Sequence, residues 1–141
     1  MYLNIENLVK FYSKDDPLIK DLNFSVKKGE FVSFIGESGS GKTTFLKCLA
    51  GLEKINSGRI TLNDRVLDDK TTFIKPNHRK IGFIFQDYPL FPHLSVLENL
   101  KINLGEQYEK NIKYYLELTG LSNLLGRYPH ELSGGEQQRV C

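Results

Sequence analysis

The chain has 141 residues, a formal net charge of +2 and a composition that is 40% hydrophobic and 26% charged. This length suits one compact domain with an ordinary core, and so small a charge gives no indication of a nucleic-acid partner. No apolar run reaches the roughly 18 residues of a membrane span, and the opening segment lacks the layout of a signal peptide. Two cysteines without metal-ligand spacing favour a reduced protein with incidental thiols.

The first half of the sequence predicts mainly β-structure. Tyr2, Ile5 and Leu8 interrupt a polar-rich opening segment, and apolar residues alternate with polar ones in 22–26, which is typical of a half-buried strand. Segment 31–35 is apolar almost throughout, so we expect a strand covered on both faces. Turn residues on both sides of 59–62 predict a small hairpin, and 81–85 is a further candidate strand.

Between the strand at 31–35 and a segment with helical spacing lies the sequence GESGSGKTTFL, residues 36–46. Gly36, Gly41, Lys42 and Thr43 stand at the positions of a phosphate-binding loop, and the strand before and helix after are its confirming context. Glycines let successive backbone N–H groups approach the phosphates, and the helix directs its positive dipole end at them. The lysine supplies positive charge, and the threonine hydroxyl supplies a ligand for Mg²⁺.

The last third of the sequence is helical in character. Ser95 and Glu98 have the spacing of a capping box, and segment 106–119 places apolar residues on one helical face. Ser133 and Glu136 repeat the capping-box spacing with two glycines between them, inside LSGGEQQR. Those glycines would weaken an ordinary first turn, but they leave backbone N–H groups accessible to phosphate. A second such site makes sense if it serves a nucleotide held by another copy of the chain.

LSGGEQQR resembles the signature motif of ATP-binding cassette (ABC) proteins, and Ser133 lies 91 positions (133 − 42) beyond Lys42, which fits that family. FIFQDYPLFPHLSVLENL resembles the family's Q-loop region, with Gln86 as its glutamine. VKFYS places Tyr12 where the family has an aromatic that stacks on adenine, with Phe11 as a competing candidate. The resemblance covers essentially the whole chain.

The resemblance implies an α/β phosphate-loop NTPase fold of the ABC type. Such a fold has an N-terminal antiparallel β-subdomain, a RecA-like core and a helical subdomain. We expect 1–141 to be one partial nucleotide-binding domain, with 1–94 as β-subdomain and phosphate-loop core and 95–141 as the helical subdomain. The core sheet is expected to be incomplete at its C-terminal side and to expose an unpaired edge, so that the chain is prone to aggregation or weakly folded.

The resemblance also implies functional residues. Lys42 and Gln86 are expected to act in catalysis, and Thr43 and Gln86 to contact Mg²⁺. The residues expected to bind ATP are Tyr12, Gly36, Glu37, Ser38, Gly39, Ser40, Gly41, Lys42, Thr43 and Thr44. The residues expected to contact the ATP of a second copy are Ser133, Gly134, Gly135 and Glu136.

The implied function is that of the ATP-binding subunit of a membrane transporter on the cytoplasmic face of the membrane. Its partners would be a second copy, transmembrane permease subunits and a substrate-binding protein, and dimer closure on MgATP would power transport. Some stretches are similar to those of bacterial importers for ferric iron, polyamines, sulfate or molybdate. A soluble ABC ATPase without a transport role and an inert nucleotide-binding fragment are the alternatives.

The family's Mg²⁺-binding acid, catalytic Glu and switch histidine all follow the signature helix, in which this sequence ends at Cys141. Asp87 and Asp68 are poor substitutes, so we expect the chain to bind ATP without hydrolysing it. Two further groups are expected to have no role in the site. Solvated surface charges are expected at Arg59, Arg65, Arg79 and Lys80. Loop residues without metal-ligand spacing are expected at His78, His93 and His130.

Overall fold

The computed structural model describes residues 1–13, 16–102 and 112–141. Contacts between Cα atoms divide the chain into two compact units, Met1–Phe83 and Ile84–Cys141. The assignment of 1–94 and 95–141 to the β-subdomain with core and to the helical subdomain stays a prediction. None of the helices in the described part of the chain has both the length and the apolar character needed to cross a membrane.

The first unit contains a four-stranded antiparallel sheet with the order β2-β1-β3-β4. Its strands are β1 (Leu3–Ser13), β2 (Asp16–Val26), β3 (Ser57–Leu62) and β4 (Arg65–Asp68). Apolar side chains repeat at every second residue from Leu22 to Val26 in β2, and Ile5 and Leu8 of β1 are buried in the core, so one face of the sheet is buried. Asn63 and Asp64 connect β3 to β4 with φ values of 48° and 61°, which confirms the predicted hairpin.

Helix α1 (Lys42–Ala50) begins at the predicted phosphate loop. It ends at Gly51, whose φ of 78° and N–H bond to the Cys48 carbonyl make a left-handed cap. The helix packs its apolar face on the sheet and forms one buried cluster with it. That cluster consists of Ile5, Leu8, Ile19, Phe45, Cys48, Ile55, Ile60 and Leu67. The Cys48 thiol lies inside it, and burial raises its pKa to about 11.

The prediction of a strand at 31–35, covered on both faces, is wrong. The segment is not part of any strand in the structure. Phe34 packs at 5.2 Å from the ring of Phe45, but Phe31 and Ile35 are 98% and 95% exposed. Phe34 is itself 37% exposed, so even the side of the segment that contacts Phe45 is only partly covered. An apolar run becomes a sheet strand only where a neighbouring strand pairs with its backbone, and composition alone does not supply that neighbour.

The strand predicted at 81–85 is wrong for the same physical reason. None of these residues belongs to the four-stranded sheet, and Ile84 is largely exposed. Ile81 nevertheless packs against the core cluster of the first unit. The hydrophobic pattern correctly identified 81–85 as an apolar segment. The predicted strand, however, is not formed by these residues in the structure.

The described residues of the second unit form three α-helices around a separate apolar cluster. They are α2 (Val96–Lys101), α3 (Ile112–Thr119) and α4 (Gly134–Val140). The predicted capping boxes are confirmed at Ser95 with Glu98 and at Ser133 with Glu136. The part of the predicted helix at 106–119 that precedes Ile112 lies outside the described residues. The cluster consists of Val96, Leu116, Leu121, Leu124, Leu132 and Val140.

The prediction that Arg79 is a solvated surface charge is wrong. The residue is 2% exposed, and its guanidinium donates to the carbonyls of Cys48 and Leu49 at the end of α1, at 2.7 and 2.9 Å. Nε donates to the Ile74 carbonyl at 2.7 Å, and Nη2 lies 3.6 Å from the Asp68 carboxylate. The guanidinium therefore supplies donors to carbonyls at the end of α1, where intrahelical donors run out, and the Cys48 carbonyl accepts from the Gly51 N–H as well.

Candidate nucleotide-binding site

Two glycines hold the loop at 36–41 in its shape. The φ angle is +83° at Gly39 and +90° at Gly41, where an L side chain would be strained. A Cβ atom at Gly41 would also lie 3.3 Å from the side chains of Leu18 and Ile19. Gly41 is the N-cap of α1, so the loop leads directly into a helix whose first N–H groups have no intrahelical acceptor.

The Lys42 ammonium group is bound by the loop itself. Nζ donates to the carbonyls of Gly36 and Glu37 at 2.7 and 2.6 Å and lies 3.1 Å from Oγ of Ser40. All three donors of the ammonium group thus have partners within the loop. A full positive charge beside the start of a helix favours an anionic ligand such as a phosphate.

The first turn of α1 presents two hydroxyl groups after Lys42. Thr43 is exposed, as are Glu37, Ser38 and Ser40 of the loop. Thr44 is half-buried, and its Oγ1 lies 3.4 Å from the Tyr12 hydroxyl. An exposed hydroxyl at Thr43 suits the single protein ligand that Mg²⁺ commonly takes when it is bound mainly through phosphates and water.

Tyr12 lies beside this turn although it belongs to β1. Its hydroxyl donates to Glu53 Oε2 at 2.6 Å, and its side chain is held although the residue is 67% exposed. The hydrogen bond to the Glu53 carboxylate is the main cause that raises the pKa of Tyr12. The Lys10 ammonium lies 4.9 Å from the ring centroid. The competing aromatic, Phe11, is half-buried in the same strand.

The other predicted site residues belong to the second unit. Gln86 is exposed in a turn that follows segment 81–85. Ser133 donates its hydroxyl to Glu136 Oε2 at 2.7 Å, and its backbone N–H donates to the same oxygen at 2.7 Å. These hydrogen bonds from Ser133 hold the pKa of Glu136 below its ordinary value. A Cβ atom at Gly134 would meet no atom within 4 Å, so the first turn of α4 is open at that position.

The structure therefore brings Tyr12 together with the phosphate loop in the first unit and places Gln86 and residues 133–136 in the second. Sequence reasoning missed Lys10 and Glu53, which contact Tyr12. It missed them because β1 has register shifts along its pairing with β2, and these disturb the period-two pattern that assigns side chains to faces. Without knowledge of the fold, a lysine in a strand is predicted to face solvent.

Comparison with known proteins identifies the class to which this loop, helix and sheet belong. The family model described as ABC transporter matches residues 19–141, which is most of the chain. The chain belongs to the ABC transporter family, as the signature motif and phosphate loop predicted. The predicted fold class and ATP-binding character of the family are likewise confirmed.

The more particular likeness is to proteins named as ATP-binding proteins of transport or import systems. The chain is 39% identical to "Glutamine transport ATP-binding protein GlnQ" of Bacillus subtilis, over 99% of this chain and 60% of that protein. It is 39% identical to "Fe(3+) ions import ATP-binding protein FbpC" of Haemophilus influenzae, over 99% of this chain and 41% of that protein. It thus spans at most about three fifths of the length of these curated relatives.

Solved structures of ABC cassettes have the same fold. "Dimeric Structure of MJ0796, a Bacterial ABC Transporter Cassette" superposes with a TM-score of 0.79 at 31% identity, over 98% of this chain and 66% of that one. A second structure with the same TM-score and identity is titled as a post-hydrolysis state of that cassette bound to ADP and Pi. These similarities show that the antiparallel sheet, phosphate loop and α1 have the arrangement of an ABC cassette.

Proposed function

We propose that this chain binds MgATP at residues 36–44 as part of an ATP-binding subunit. The observation that carries the proposal is the Lys42 ammonium at the centre of a glycine loop that opens α1. The γ- and β-phosphates would replace the loop carbonyls as partners of Lys42. Thr43 and Gln86 would contact Mg²⁺, and Tyr12, which already reaches Thr44, would stack on adenine.

We propose that a second copy of the chain completes the site. Residues 133–136 of one copy would contact the γ-phosphate of ATP held by Lys42 of the other. Two observations support this: the glycines leave the first turn of α4 open, and a related cassette is described as dimeric in its title. The Ser133 hydroxyl would exchange its bond to Glu136 for one to phosphate.

Ser95 provides a matched control for Ser133, because both residues cap a helix with the same hydrogen bonds to a glutamate three residues on. Alanine at either position removes a cap and costs about 1 kcal/mol of stability. We expect Ser133→Ala to abolish ATP-dependent dimerisation in sedimentation velocity, whereas Ser95→Ala dimerises like the unmodified chain. Equal dimerisation of both variants, or no ATP-dependent dimer of the unmodified chain, would contradict the role proposed for Ser133.

We further propose that the subunit works in an importer, docked on transmembrane permease subunits at the cytoplasmic face and supplied by a substrate-binding protein. Relatives at 37–39% identity whose names specify transport or import support this role. Those names specify glutamine, Fe(3+) ions and maltose, so no cargo is assigned. Co-purification with a protein of several membrane spans tests the proposal, and purification without one would favour the non-transport alternatives.

These 141 residues are proposed to bind ATP without turning it over. Asp68 ends β4 but is fully buried against Arg79, and Asp87 lies in an exposed turn outside the sheet, so neither is placed to act as a Mg²⁺-binding acid. We expect no phosphate release above background in a steady-state assay with MgATP. A rate that Lys42→Ala abolishes would show that the chain hydrolyses ATP and would overturn this part of the proposal.

A further inference from the structure

The Tyr12 side chain is held by contacts of its hydroxyl group and of one face of its ring. Its hydroxyl donates to Glu53 at 2.6 Å and lies 3.4 Å from Thr44 in the first turn of α1. Its face lies over the Lys10 ammonium, 4.9 Å from the centroid. An exposed tyrosine at the end of a strand would otherwise sample several rotamers. These contacts select one orientation beside the phosphate loop.

Lys10 is itself fixed, although it is a charged residue on a strand. It is 8% exposed, its Nζ donates to the Lys54 carbonyl at 2.9 Å, and it forms an ion pair with Glu53 at 3.2 Å. A buried ammonium group is stable only when such partners replace water. Burial raises the pKa of Glu53, but the hydrogen bonds from Tyr12 and Lys10, with the charge of Lys10, outweigh it and leave this pKa below its ordinary value. The carboxylate is therefore ionised at neutral pH.

We infer that the ion pair of Lys10 and Glu53 positions Tyr12 for binding of the nucleotide base. Lys10 lies over one face of the ring, and Tyr12 is 67% exposed, so we expect a base to stack on the opposite face. The contact with Thr44 fixes the distance between that face and the phosphate loop. Lys10 and Glu53 are thus positioning residues, which raise affinity for a nucleoside triphosphate by holding the ring in its bound orientation.

This inference rests on the proposed function, in which Tyr12 stacks on adenine, and the experiment separates the two. ATP and inorganic tripolyphosphate are the probes, and their affinities for the full 141-residue chain are measured by calorimetry with Mg²⁺. Both probes use the phosphate loop, but only ATP has a base. The ratio of the two affinities therefore reports on the base, and any general loss of the loop's shape lowers both affinities together.

We expect Glu53→Gln and Lys10→Met each to weaken ATP binding by about threefold to tenfold, the effect of freeing one side chain that binding must then order. Tripolyphosphate affinity should stay the same. Tyr12→Ala should also weaken ATP binding without changing tripolyphosphate affinity, and by a larger factor. Tyr12→Phe should weaken ATP binding about as much as Glu53→Gln does. Glu6→Gln, an exposed carboxylate on β1, should change neither affinity.

A second readout does not depend on nucleotide. Since the Glu53 carboxylate raises the pKa of Tyr12, Glu53→Gln should lower that pKa in an ultraviolet titration, with Tyr12→Phe identifying the signal among the 7 tyrosines.

If Tyr12→Ala leaves the ratio of ATP affinity to tripolyphosphate affinity unchanged, base stacking by Tyr12 is wrong. If Tyr12→Ala lowers the ratio while Glu53→Gln and Lys10→Met do not, stacking stands and the positioning role is overturned. Equal loss of both probes in Glu53→Gln and Lys10→Met also overturns it, because the ion pair then only supports the fold.

Discussion

Replacing Lys42 with alanine is expected to lower the affinity of the chain for ATP at least about tenfold. Hydrogen bonds to charged groups are worth about 1.5–3 kcal/mol each, and about 1.4 kcal/mol corresponds to a factor of ten. Lys42 lies where its ammonium already bonds three oxygens of the loop, so its position is set before ligand arrives. Calorimetric titration with MgATP measures the effect.

Lys28→Ala is the matched control for this prediction. Lys28 is exposed in the turn that precedes segment 31–35, and its removal changes the net charge of the chain by the same amount. We expect its ATP affinity to equal that of the unmodified chain. If Lys42→Ala and Lys28→Ala bind ATP equally well, the loop is not a phosphate site and the proposed function fails at its first step.

Replacing Arg79 with methionine is expected to lower the free energy of unfolding by about 3–5 kcal/mol, the usual effect of removing one partner of a buried ion pair. Neither Arg79 nor Asp68 has any exposed side-chain surface. The substitution would remove a donor from four carbonyl groups, those of Cys48, Leu49, Leu67 and Ile74, of which Cys48 keeps the Gly51 N–H. It would also leave the buried Asp68 carboxylate, whose Oδ1 has no hydrogen-bond partner, without a counter-charge. Urea denaturation followed by circular dichroism measures the change.

Arg59→Met is the control, because Arg59 pairs with Asp69 at 3.5 Å but its side chain is 52% exposed. Exposed pairs contribute about 0–1 kcal/mol, so we expect little change in stability. If Arg79→Met does not fold, the double variant Asp68→Asn with Arg79→Met remains a test. It removes both buried charges and keeps an acceptor for the Ile55 N–H, so it should be more stable than Arg79→Met alone. The prediction would be contradicted if Arg79→Met and Arg59→Met had the same free energy of unfolding.

The pH dependence of stability gives a further check on the same pair. Burial is the main cause that raises the pKa of Asp68 above its ordinary value, while Arg79 acts in the opposite direction. Between the ordinary and the raised pKa, the folded chain keeps a proton that the unfolded chain has released. The contribution of Asp68 to stability therefore falls as pH rises through that interval. Removing Arg79 should extend this fall to higher pH.

The sequence by itself determined the features whose interactions lie between near neighbours in the chain. The phosphate loop, both capping boxes and the hairpin at 59–68 follow from a few adjacent residues, because glycine dihedrals, helix caps and tight turns are local. The family likewise followed from two short motifs. These features needed no knowledge of how distant segments pack.

Only the tertiary structure decided which apolar runs are covered and which charges are buried. Residues 31–35 have the composition of a buried strand yet are not paired into the sheet, and Arg79 reads as a surface charge yet bonds a carbonyl 31 positions away. Tyr12 and Lys10 meet partners 41 and 44 positions along the chain, at Glu53 and Lys54. Burial and ion pairing depend on which distant backbone and side chains arrive at the same place, and a local pattern of residue types does not contain that information.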